Sequence, residues 1–226
     1  MKNLPNTSEI ESITVTEVVR VLRHLGVALK DSQYHRIEDL CFVFHTPHRL
    51  KDPTITFNYC APKDHHFFGR GGLLVIFPSL GVPLFLQITP KYKQSEKSIR
   101  TFLKAMFQQY GGLLQGIEVY TDSDFGTEEI NVTLKRLFKA TPHIDVYARS
   151  TTRSTLTVEQ KNIRKTIEHV IARLENHFSL EHPPVLGDDS VAIHTQLCVF
   201  SDLLLVLYNL FTGNHTHPHS LSRGRG

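Results

Sequence analysis

The chain predicts an α/β fold: a mixed sheet flanked by helices, with a small helical segment at the N-terminus. Three observations carry this. Three consecutive strand-like runs, TITFNYC (54–60), LLVIFPS (73–79) and PLFLQIT (83–89), suggest an antiparallel meander. Strand-like and helix-like runs then alternate, as parallel additions to a sheet covered on both faces require. Finally, 226 residues with 40% hydrophobic and 21% charged side chains suffice for one sizeable core, and exclude a wholly disordered or fibrous chain.

The elements follow in order. Residues 13–30 place Val15, Val18, Val19, Leu22, Leu25 and Leu29 at helical spacing, with Thr14 or Thr16 as the cap. A second short helix is expected over about 32–44, completing an N-terminal helical segment of residues 1–46. A loop with Pro47 and Pro53 leads into the strands, the last two joined by a tight turn at Leu80-Gly81-Val82. Ser95 to Tyr110 reads as helix and GIEVYTD (116–122) as a buried strand. Thr127 caps a helix running to about Lys139, and HIDVYAR (143–149) is a further strand. Val158 to Phe178 is a long charged helix and Val191 to Phe211 a long apolar one. The apolar run is long enough to span a bilayer, but it contains His194, Gln196, Asp202 and Asn209, so burial against the sheet is expected and no membrane partner. Residues 47–213 form the main domain. Residues 214–226, with His215, His217 and His219 among Gly, Ser and Arg, read as a disordered tail, although a His-x-His-x-His run can also bind zinc or nickel.

Composition narrows the chemistry. The three cysteines, Cys41, Cys60 and Cys198, are widely spaced and form neither a disulfide framework nor a metal knuckle. The polar start MKNLPNTSEIES has no apolar core of a signal peptide, so a cytoplasmic location is expected. The net charge of +3 hides an asymmetry. Residues 111–130 hold five carboxylates and no Lys or Arg, whereas 131–176 hold nine Lys/Arg against four Asp/Glu. An acidic knot beside basic surface suits a metal-dependent enzyme acting on a polyanion.

Candidate site residues stand in three strings. Asp122 ends a strand in VYTDSDFG, where open α/β sheets collect ligand and metal groups; turn formation and helix capping by Asp122 and Asp124 is the structural alternative. Glu168 lies four residues after Arg164, on the same helix face. Asp52 opens the first strand-like run in KDPTITF, with Asp64 of PKDHHFFG as its rival. Gly69-Arg70-Gly71-Gly72 is no phosphate-binding P-loop, because no Gly-Lys-Ser/Thr follows.

In this order the strings resemble those of DDE-class transposases, the IS4/IS5-like insertion-sequence enzymes, whose catalytic domain is RNase H-like. Asp52-Pro53-Thr54 stands where the family has Asp-Gly-Thr or Asp-Ser-Thr, and Gly81-Val82-Pro83-Leu84 and Thr89-Pro90 match that family's Gly-x-Pro-Leu turn and the Thr-Pro that ends its next strand. Asp122-Ser123-Asp124-Phe125-Gly126 fits the second aspartate string, and Arg164 with Glu168 fits the centre of Tyr-x2-Arg-x3-Glu-x6-Lys. Lys161 replaces that Tyr and Glu175 that Lys. HFSLEHPPVLGDDSVAIHTQL also resembles the family's ending.

The resemblance implies metal-dependent cleavage and strand transfer of double-stranded DNA, at transposon ends and target, by a homodimer on DNA. Asp52, Asp122 and Glu168 would be catalytic and would hold two Mg²⁺ or Mn²⁺ ions. Arg164, Lys161, Lys91, Lys93, Lys97 and Arg100 would contact the DNA backbone, to which Lys104, Lys135, Arg136 and Lys139 could add. A transposase-derived DNA-binding protein without cleavage, or a nuclease of the same fold, is the alternative.

Overall fold

A computed structural model describes residues 34–44, 52, 55–60 and, apart from 79, 90, 92, 112–113, 145–155 and 215–218, residues 65–221. The predicted helix over 13–30 lies outside the described residues. The elements are β1 (Tyr34–Phe44), β2 (Thr56–Cys60), β3 (His65–Phe77), β4 (Val82–Thr89), α1 (Glu96–Tyr110), β5 (Glu118–Thr121), α2 (Glu128–Phe138), β6 (Thr141–Ile144), α3 (Val158–Phe178) and α4 (Asp188–Phe211).

The main correction concerns β1. The helix expected over 32–44 is an eleven-residue strand at the middle of the sheet. It pairs antiparallel with β3 from Arg36↔Ile76 to Phe44↔Phe68, and parallel with β5 from Tyr34↔Glu118 to Ile37↔Thr121. β6 adds parallel to β5, while β4 and β2 share the far edge of β3, at Gly71–Phe77 and His65–Gly69 respectively. Three antiparallel strands followed by two parallel ones give the RNase H-like mixed sheet, but the leading strand is β1, and TITFNYC contributes only the short β2.

Burial explains the long apolar runs. Leu73, Leu74, Val75 and Ile76 are consecutive and almost wholly inaccessible, so both faces of β3 are covered. α1 packs through Phe102 and Tyr110 on Phe85 of β4, with ring centroids 5.2 and 6.1 Å apart, and Phe107 meets Phe138 of α2 edge-on at 5.5 Å. α3 lies on β1 and β5, and α4 on β4. Thr127 caps α2 as expected, its Oγ1 accepting the Ile130 N–H at 3.3 Å, and at the start of α3 Thr157 with Gln160 forms a reciprocal capping box.

The Gly69-Arg70-Gly71-Gly72 stretch is glycine-rich because other chain segments press against it. A Cβ on Gly69 would lie 1.9 Å from the Phe42 carbonyl oxygen, and one on Gly71 2.1 Å from that of Lys91. Gly81 turns β3 into β4 at φ +58°, a conformation other residues adopt at a cost.

α4 is long and apolar enough to cross a bilayer by length and composition. Its polar residues show what they do here. Asp202 is fully buried and takes a two-pronged ion pair from Arg173 of α3, both contacts at 2.8 Å, while Arg173 also donates to the Gly81 carbonyl. Cys198 is a core thiol, pushed up to about 12 by burial and therefore inert as a nucleophile near neutrality.

Part of the expected disordered tail returns to this cluster. His219 Nε2 donates to the Leu80 carbonyl at 2.5 Å, and Asn209 Nδ2 donates to that of Ser220 at 2.9 Å. Burial, and then the Arg173 charge, lower the His219 pKa from its usual 6.5. The folded chain therefore takes up this proton less readily than the unfolded one. Its contribution to stability is complete above about pH 6.5 and declines as the pH falls below that value. His219→Gln is expected to flatten the acid side of a plot of melting temperature against pH, and an unchanged slope would refute this account.

Candidate active site at the C-terminal ends of the parallel strands

β5 delivers Asp122 to the carboxyl end of the parallel pair, as expected from VYTDSDFG. Val119, Tyr120 and Thr121 are buried, and the chain then breaks into a single helical turn, Ser123–Phe125. Asp122 begins that turn: its Oδ1 accepts from the Ser123 N–H at 2.6 Å. The side chain is half-buried at the sheet end. It therefore acts as the predicted cap and stands where a ligand-binding carboxylate belongs. One role does not exclude the other.

α3 crosses above β1 and β5. Buried Arg36 of β1 fixes the crossing, since its Nε donates to the Arg164 carbonyl at 3.2 Å and its Nη1 to the carbonyls of Ile37 and Tyr120. Ile167, Val170 and Leu174 face the core, which leaves Glu168 exposed one turn beyond Arg164.

Asp52 is elsewhere and otherwise employed. It precedes β2, is only 4% exposed, and its Oδ2 accepts from Arg70 Nη2 at 2.7 Å and from the Gly187 N–H at 2.9 Å. Arg70 in turn binds Asp188 at the start of α4, with 2.5 Å between Nη1 and Oδ1. This arrangement joins the loop before β2, strand β3 and the α4 N-terminus. Among the described residues no three His, Cys, Asp or Glu side chains form a group able to hold a metal, so Asp52, Asp122 and Glu168 do not converge as one. The reason is topological. Asp52 lies beyond the central strand, in the connection leading to an edge strand, and its charge is satisfied by a buried arginine. Asp64 lies outside the described residues.

The central strand has acids of its own, which sequence reasoning missed. The β1–β5 ladder ends at Ile37↔Thr121, so the next residues along the two strands are Glu38 and Asp122. The backbone of the Glu38-Asp39 pair thus runs beside the Asp122 position. The available signal was an acidic dipeptide followed by the apolar run LCFVF, at strand rather than helix spacing.

The basic candidates divide. Lys91, Lys93, Lys97 and Lys161 are exposed, and Arg164 is partly buried on α3. Arg100 is bound to Glu129 at 2.5 Å and lies 3.8 Å from Glu96, so a phosphate would have to compete for its guanidinium. Glu175, which replaces the resembled family's lysine, accepts from the Glu181 N–H at 2.5 Å and sits 2.6 Å from His182 Nδ1. It closes the loop after α3.

The mixed sheet is RNase H-like, with Asp122 at the end of β5 and Glu168 on the helix that packs over β1 and β5. The transposase DDE domain family matches residues 43–201, most of the chain. The protein belongs to that family, which supports a transposase function with DNA as substrate. A search of curated proteins gave no match.

Proposed function

We propose that the protein cleaves DNA at the ends of an insertion sequence and joins the freed 3′-ends to target DNA. The observation that carries this is Asp122 at the carboxyl end of β5, beside the acidic pair of β1 and under a helix bearing Glu168, within a chain matched by the transposase DDE domain family. The acids in this reading are Asp122, Glu168 and one of Glu38-Asp39, with Asp52 as a structural anchor.

Carboxylate oxygens are hard donors, and this donor set fits Mg²⁺ or Mn²⁺. Two such ions, when bound, supply a water of lowered pKa and neutralise charge on the phosphoryl oxygens. The chain's own residues do the rest. Asp122 is held by the Ser123 N–H, and Glu168 stands on a helix whose backbone Arg36 ties to β1. Arg164 and Lys161 on α3, with Lys91, Lys93 and Lys97 after β4, provide cations for the DNA backbone. In hydrolysis the water oxygen bonds to phosphorus, and the 3′-oxygen leaves as a hydroxyl. In joining, that hydroxyl attacks a target phosphodiester and a target 3′-oxygen leaves. Two ends joined together imply a dimer on DNA.

The test is incubation of the protein with Mg²⁺ and linear DNA bearing candidate terminal repeats. Cleaved and joined products support the proposal, and cleavage alone supports a nuclease. A salt-sensitive gel shift without cutting supports a DNA-binding descendant, the reading favoured by the loop-closing role of Glu175.

A further inference from the structure

α4 is apolar on two opposite sides, and only one of them is buried. Val199, Leu203, Val206 and Leu210 are inaccessible, in a helix that packs on β4 and α3. Ile193, Leu197, Leu204, Tyr208 and Phe211 are between 46% and 69% exposed, and Phe200 among them is partly exposed. At 3.6 residues per turn these six fall within an arc of about 80°, opposite the buried side. They form a stripe roughly 27 Å long. Soluble proteins rarely leave so continuous an apolar strip to water.

We infer that two copies of the chain pair through this stripe, their α4 helices antiparallel across a two-fold axis. The pairing needs no DNA, and so goes beyond the dimer on DNA proposed above. Spacing favours a second copy as the occupant. Leu197, Phe200, Leu204, Tyr208 and Phe211 follow one another at steps of 3, 4, 4 and 3 residues, which read the same from either end. A two-fold interface has to be self-complementary, and this stripe is. With Leu204 on the axis, Phe200 meets Tyr208 of the second copy and Leu197 meets its Phe211. Steps of three and four are also those by which side chains of adjacent helices interdigitate.

Charge and area agree. Between Ser190 and Phe211 the one Asp, Glu, Lys or Arg is Asp202, which is fully buried and bound to Arg173. Two stripes therefore meet with no like charges opposed. Asp188 and Asp189 open the helix, and antiparallel pairing keeps the acidic ends of the two copies apart. A helix lying on an anionic lipid surface carries Lys and Arg beside its apolar face, and α4 has neither. The five exposed side chains, slightly more than half accessible, offer roughly 600 Å² per copy. The pair would bury about 1,200 Å², the size at which specific interfaces begin.

The experiment is sedimentation equilibrium on the full chain over a range of protein concentrations, without DNA or divalent metal. Wild-type protein is expected to approach twice the mass of one chain. Leu204→Glu sets two carboxylates face to face on the axis and should weaken the dimer at least about 100-fold, with the circular dichroism unchanged. Leu204→Lys should do the same. Mixing the two variants should restore the dimer, because opposite charges then meet on the axis, a result that loss of folding cannot produce. Wild-type protein that stays monomeric overturns the inference. So does a Leu204→Glu variant that dimerises like wild type, or a mixture of the two variants that fails to pair. Wild-type protein that is monomeric in buffer but floats with phosphatidylcholine vesicles assigns the stripe to a membrane and overturns it as well. None of these outcomes bears on the acids, which the cleavage assay tests separately.

Discussion

Asp122→Asn is expected to lower DNA cleavage and joining by about 10³-fold or more while DNA binding and the melting temperature stay near wild type. The amide keeps an oxygen to accept the Ser123 N–H, so the turn that Asp122 caps persists. It removes the negative charge and exchanges a strong cation ligand for a weak one. A stable, DNA-binding, inactive variant is therefore the outcome that places Asp122 in the chemistry. Substantial cleavage by Asp122→Asn would reduce it to a cap. Asp39→Asn and Glu38→Gln belong in the same assay, because one of the two should reproduce the loss.

The second large effect concerns stability. Arg70→Met is expected to destabilise the fold by about 3–5 kcal/mol, because it leaves the 4%-exposed Asp52 carboxylate without its cation. For a chain of this size that lowers the melting temperature by about 10 °C. Adding Asp52→Leu should recover much of the loss, since removing both partners of a buried pair costs far less than removing one. Calorimetry on the single and double variants checks this. A single variant that melts with wild type would show that the Arg70 pair bears little of the fold.

The contrast between these two aspartates shows what the sequence could and could not reveal. Asp122 was legible because strand, turn and capped helix follow one another locally in VYTDSDFGTEE, and each step has its own residue chemistry. The helix after it was legible for the same reason: Thr127 caps where its hydroxyl suggests. β1 was not. Its first half, YHRIED, mixes charges into an apolar strand, because Arg36 is buried to hold the α3 backbone at Arg164. A strand that serves a distant helix breaks the alternation that would reveal it. With 32–44 expected as helix, the acids of β1 are not weighed as candidates, and Asp52 is the earliest acid left to consider. Nothing local distinguishes an aspartate paired with an arginine eighteen residues away from one awaiting a metal.

The divided edge of β3 has a consequence for motion. β4 pairs with the half of β3 that carries the core residues Leu73 to Phe77, whereas β2 pairs only with His65 to Gly69. Peeling β2 away would break its own short ladder and leave the β1–β3–β4 core intact. Amide protons of β2 should therefore exchange with solvent through a local opening, well before those of β4, which await global unfolding. β2 can thus open while β1, β3 and β4 stay paired.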